Sequence, residues 1–242
     1  MSLVDTDWLE KNINKVKVID CSWHMPAENR NPEEEFKKEH IPSAIFFDLD
    51  KNSKNDTDLP HMLPATNEWN KIVSNLGISK EDHIIIYDNS NVISSCRCWY
   101  NFIYFGHDPK LVSVLDGGFR KWKQENKKIS NEIIKFSKTN YTGQELTSLV
   151  KDKVKINNNI SKNEFVVIDA RSKERFEGKV PDPRKNVRSG SIQNSICLPF
   201  MQVINEDYSF KNAAELKSLF ENTLEKPTDK PVFSCGSGVT AC

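Results

Sequence analysis

His83-Ile84-Ile85-Ile86-Tyr87-Asp88 is an unbroken apolar run closed by an acid. Consecutive apolar residues leave no polar face, so a strand here is buried on both sides, as strands of parallel sheets are. Working outward, further strand candidates cover 16–20, 111–115, 165–169 and 231–234. Amphipathic stretches separate them at 69–76, 98–105 and 213–220, the last behind a cap at Asn212. Strands alternating with helices imply right-handed crossovers and a parallel sheet covered on both faces. The expected class is α/β.

The order of elements then recurs. Val18-Ile19-Asp20-Cys21-Ser22 parallels Val167-Ile168-Asp169-Ala170-Arg171, at an offset of 149. His40-Ile41-Pro42-Ser43-Ala44 parallels Ser191-Ile192-Gln193-Asn194-Ser195 at 151, and Ile85-Ile86-Tyr87-Asp88 parallels Val232-Phe233-Ser234-Cys235 at 147. Three landmarks in order at near-constant offset point to two copies of one α/β unit. The expected division is a first unit at 1–135, a linker at 136–148 and a second unit at 149–242. The polar stretch 125–140, rich in lysine, asparagine and serine, leads into that linker. After Asp88 the first copy runs 34 residues to Trp122, whereas only seven follow Cys235. The second copy is therefore expected to lack its C-terminal part, with weak activity that roughly 35 to 40 further residues would restore.

Composition excludes several classes. Of 242 residues, 34 are Lys or Arg and 34 are Asp or Glu, so the formal net charge is zero. Nucleic-acid binders carry a basic excess, which is missing here. No apolar run approaches the roughly 18 to 20 residues of a membrane span. The N-terminus has no basic or apolar signal region, and Asp5, Asp7 and Glu10 argue against a transit peptide. A cytoplasmic location is expected, with a processed mitochondrial form as the alternative. Six cysteines without a signal peptide read as reduced thiols. Cys96-Arg97-Cys98 is too tight for a zinc pair, so neither a metal nor another cofactor is expected.

Cys235-Gly236-Ser237-Gly238-Val239-Thr240 follows a predicted strand directly. Two readings stand side by side. Its glycines can turn several N–H groups inward as a nest that stabilises an anion at the cysteine sulfur. Alternatively it is a glycine turn after a buried cysteine.

The whole chain resembles the rhodanese family, specifically its two-domain members of the 3-mercaptopyruvate sulfurtransferase type. The motifs that carry this are the Cys235–Ala241 loop, Asp48-Leu49-Asp50 with His61-Met62-Leu63-Pro64, and Leu115-Asp116-Gly117-Gly118. Asp169-Ala170-Arg171, Arg175-Phe176 and Pro183-Arg184 add to them. The resemblance implies tandem parallel-sheet domains, with an inert first copy in which Asp88 stands where the cysteine belongs. It implies that Cys235 attacks the sulfur of 3-mercaptopyruvate, releases pyruvate and passes the sulfur to thioredoxin, a low-molecular-weight thiol or cyanide. Ser237, His61 and Asp50 would form a proton relay. Arg175 and Arg184 would hold the substrate's carboxylate and carbonyl, with Gly236, Gly238, Val239 and Thr240 completing its site.

Read without the family, these residues are ordinary. His61 is a surface histidine, Asp50 a solvated acid, and Arg175 and Arg184 partners in surface ion pairs with Glu174, Glu177 and Asp182. Thiosulfate is the alternative substrate, but the thiosulfate-preferring relatives carry basic residues after the cysteine, where this chain has Gly236 and Ser237. A phosphatase of related fold needs an arginine six residues past the cysteine, and position 241 is alanine. The third alternative is an impaired isoform acting as an interaction module.

Overall fold

The computed structural model of the chain describes residues 2–184, 187–224 and 230–242. The opening run forms β4 (Ile84–Tyr87), buried at every position. It lies inside a five-stranded sheet with β1 (Leu3–Val4), β2 (Lys17–Asp20), β3 (Ala44–Phe46) and β5 (Val112–Leu115), in the order β1-β5-β4-β2-β3. All pairings are parallel. Alternation along β4 explains the need for helices on both faces. Ile84 and Ile86 pack with Trp69, Val73 and Phe102 of α3 (Thr66–Asn75) and α4 (Ser95–Tyr104). Ile85 and Tyr87 pack with Leu9, Phe36 and Trp122 of α1 (Thr6–Asn12), α2 (Pro32–Lys38) and α5 (Gly118–Gln124).

A second, smaller parallel sheet has the order β7-β6-β8, with β6 (Val166–Asp169), β7 (Ile196–Cys197) and β8 (Pro231–Ser234). Around it lie α6 (Lys153–Lys162), α7 (Lys173–Phe176) and α8 (Ala213–Thr223). Local geometry recurs between the two sheets. The turn closed by Ala44 N–H to Ile41 C=O, with Ser43 at φ 64°, has a counterpart in Ser195 N–H to Ile192 C=O, with Asn194 at φ 63°. Cys21 N–H donates to Tyr87 C=O as Ala170 N–H donates to Ser234 C=O.

Two elements begin earlier than their patterns suggest. α4 starts at Ser95 rather than 98, because the Asp88 carboxylate accepts the Ser95 N–H and so caps the helix from outside it. α3 starts at Thr66, with Glu68 reaching back to the Ala65 N–H. Asn212 caps α8 as its sequence suggests, accepting from the N–H groups of Ala214 and Glu215. Segment 136–148 is strapped to the first sheet's helices: Thr139, Gln144 and Leu146 donate to carbonyls of Ser74, Phe105 and Tyr104. Tyr141 is buried within it. Among the described residues, no helix is long and apolar enough to cross a membrane.

Candidate active site

β8 ends at Ser234, and the chain turns at once through Cys235 to Thr240. Gly238 takes φ 73°, a left-handed value that glycine adopts without penalty. That turn aims its N–H at Cys235 Sγ, 3.1 Å away. Burial pushes the half-buried thiol up. The Thr240 side chain and the N–H groups of Ser237, Gly238 and Thr240 pull harder the other way, so the thiol lies below its ordinary range. The loop is a nest whose N–H groups favour the ionised form of Cys235. The Val239 side chain is 2% exposed and packs in one apolar cluster with Cys21 and Phe102. All six cysteines are free thiols.

Two arginines stand over the loop. Arg184 Nη1 donates to the Gly236 carbonyl at 2.6 Å, and an added Cβ on Gly236 would lie 3.3 Å from Arg175 Nη2. Their orientation comes from Asp182, which accepts from Arg175 Nη2 at 2.7 Å and from Arg184 Nε at 3.1 Å. The Asp182 side chain is 1% exposed. Burial would raise its pKa, but the hydrogen bonds from Arg184 and Arg175 hold the carboxyl well below the carboxylate range. The ion pairs are therefore built into the loop's surroundings rather than spread on the surface.

His61 is also buried, at 6% exposure, with its ring edge-on to Trp23. Its Nε2 lies 2.9 Å from Asp50 Oδ1, and Trp23 Nε1 donates to both Asp50 oxygens. The His61 hydrogen bond, opposed by burial and helped by Trp23, lowers the Asp50 pKa. With Nε2 engaged, Nδ1 is buried and has no hydrogen-bond partner among the described residues. His61, Ser237, Arg184 and Gly236 line one cavity of about 760 Å³. No hydrogen bond joins Ser237 to His61 among the described residues, whereas His61 and Asp50 are in contact.

A rhodanese-like domain matches residues 5–125. Thiosulfate/3-mercaptopyruvate sulfurtransferase 1, mitochondrial, of Arabidopsis thaliana is 39% identical over 99% of this chain and 69% of its own length. The 3-mercaptopyruvate sulfurtransferase of Mus musculus is 36% identical over the whole chain and 83% of its own length. The chain belongs to the rhodanese family. SseA of Escherichia coli, described as a 3-mercaptopyruvate sulfotransferase, superposes with a TM-score of 0.89 at 28% identity, covering all of this chain and 91% of that one. This member of the family is an enzyme of the sulfurtransferase type.

In the first unit of this rhodanese, Asp88 occupies the matching place after β4, and its own carboxylate fills the turn. Oδ1 accepts the Ser90 N–H at 2.8 Å and Oδ2 the Ser95 N–H at 2.9 Å. Burial raises its pKa against those hydrogen bonds. Sequence reasoning placed Asp182 only in a surface ion pair and passed over Trp23 and Arg97. Asp182 was signalled by Pro181-Asp182-Pro183-Arg184, where the acid accepts the Arg184 N–H two residues on. Trp23 and Arg97 gave no local signal, since each acts across a long stretch of chain.

Proposed function

We propose that this chain moves a sulfur atom from 3-mercaptopyruvate to an acceptor through a persulfide on Cys235. The observation that supports this most is the nest donating to Cys235 Sγ, which favours thiolate, the nucleophilic form. The thiolate attacks the substrate's sulfur, forming an S–S bond as the S–C3 bond breaks. The released electron pair passes into the enolate of pyruvate, which the adjacent carbonyl stabilises. The proton of the substrate thiol ends on C3, completing pyruvate. Ser237 and His61 carry that proton, with Asp50 holding the ring. A thiol, such as reduced thioredoxin or a low-molecular-weight thiol, or cyanide then attacks the outer sulfur and regenerates the Cys235 thiolate.

Arg175, Arg184 and Asp182 together carry one net positive charge, which suits a monocarboxylate better than the thiosulfate dianion. Arg175 and Arg184 bind the carboxylate and carbonyl, with Gly236, Gly238 and Thr240 offering backbone groups. The second unit, 149–242, carries the nucleophile. The first, 1–135, is inert because a carboxylate at Asp88 cannot hold sulfane sulfur, and 136–148 joins the two copies. The test is steady-state turnover with both donors, in wild type and Cys235→Ser. Higher kcat/KM with 3-mercaptopyruvate, abolished by the substitution, is expected. Higher kcat/KM with thiosulfate would refute the substrate, and turnover surviving in Cys235→Ser would refute the nucleophile.

A further inference from the structure

Arg97 lies on α4 of the first unit, 141 residues from the loop it touches. It is 6% exposed, a costly place for a guanidinium. Among the described residues no carboxylate pairs with it. It reaches two backbone carbonyls instead, Nη1 donating to Gly238 C=O at 2.8 Å and Nη2 to His61 C=O at 2.5 Å, and it also touches the Cys242 thiol. Gly238 supplies the N–H on Cys235 Sγ, and His61 carries the ring held by Asp50. Both residues have left-handed backbones, Gly238 at φ 73° and His61 at φ 54°. For histidine that conformation persists only where surrounding structure enforces it.

We propose that Arg97 is a positioning residue, a single guanidinium that holds the cysteine nest and the histidine of the acid–base pair in one frame across the two units. The proposal rests on the sulfurtransferase reading for its purpose, but not for its geometry. A flat fork with two fixed N–H directions can set two carbonyls relative to each other, which a point-like ammonium on a flexible stem cannot. The Gly238 carbonyl also accepts the Cys242 thiol at 3.1 Å, so the loop is held from that side by two donors. A Cβ added to Gly238 would stand 2.8 Å from Arg97 Nη1, so the guanidinium would have to shift.

The other ionisable groups near Cys235 are known, so the effect of Arg97 can be separated from theirs. Arg171 interacts with the thiolate from the end of β6 and is itself paired with Asp169 at 2.6 Å. Cys242 interacts with it from the loop's far end, and Arg175 and Arg184 stand over Gly236.

The test is the pH dependence of Cys235 alkylation by iodoacetamide, read at its own peptide by mass spectrometry, in wild type, Arg97→Lys and Arg97→Met. No substrate is present, so loss of the sulfurtransferase reading, seen as absent turnover in wild type, is scored separately. Positioning predicts that both variants fold, by near-ultraviolet circular dichroism, and that both midpoints rise by about one pH unit, a tenfold smaller thiolate fraction below the midpoint. An Arg97→Lys midpoint equal to wild type would overturn the proposal, reducing Arg97 to a through-space charge. An unmoved Arg97→Met midpoint would also overturn it. Failure of both variants to fold would do so too, placing Arg97 in the framework rather than the site.

Discussion

Asp20 ends β2 as a fully buried acid beside Tyr87 and Asp88, and it stands apart from the chemistry at Cys235. Burial pushes its carboxyl up to about 6, against hydrogen bonds from Ser22 and Tyr87. The unfolded chain would titrate near the ordinary value of about 3.9. Folding therefore takes up a proton in the interval between, and stability falls as pH rises from about 4 to 6. Asp20→Asn keeps the oxygen that accepts the Ser22 N–H at 2.8 Å and removes the charge. Urea unfolding should find the variant more stable than wild type by up to about 3 kcal/mol at pH 8 and no more stable at pH 4. Equal differences at both pH values would contradict the burial account. At this scale the sequence was legible for Cys235, whose flanking glycines advertise a nest. It misjudged His61, which composition assigns to the surface, because the residues that bury its ring, such as Trp23, come from other stretches of chain. The packing of the Val239 side chain with Cys21 and Phe102 was equally hidden, because those partners lie far away in the chain.

The element that matters most is the turn between β8 and the chain end, since it converts backbone N–H groups into an anion site. Alanine at Gly238 would meet two costs. A left-handed backbone costs a residue with a Cβ about 1–2 kcal/mol, and the Cβ would press on Arg97 Nη1. Gly238→Ala should therefore lower kcat/KM for 3-mercaptopyruvate by at least about tenfold. Activity within twofold of wild type would show that the nest tolerates distortion and contributes little. Strands were read well from local pattern: β4 falls where its apolar run lies, because a run buried on both faces carries its own signature, and β8 falls at 231–234 although none of its residues is fully buried. Helix starts were read less well. α4 is capped by the distant Asp88 carboxylate, a partner that no pattern within the helix announces.

Across the whole molecule, the surroundings of the two sheets meet both at the Cys235 loop and beside Asp88. Arg97 of the first unit touches Gly238 of the second, Val239 of the second packs in the core of the first, and Arg120 stacks on Tyr208 at 3.8 Å. The strands were legible because each needs only a local pattern. The way the copies face each other was not, because neutral totals such as 34 cations and 34 anions say nothing about where one buried arginine points. The segment 136–148 taught the same lesson, since its polar composition hides Tyr141, which pins it to the first unit. The central claim is that sulfur rests on Cys235 between donor and acceptor. Its most direct test is intact-protein and peptide mass spectrometry after one turnover with 3-mercaptopyruvate and no acceptor. The predicted result is the added mass of one sulfur atom on the Cys235 peptide, removed by a thiol, with one pyruvate released per chain. Pyruvate released without added sulfur at Cys235, or with sulfur on Cys242 instead, would contradict it.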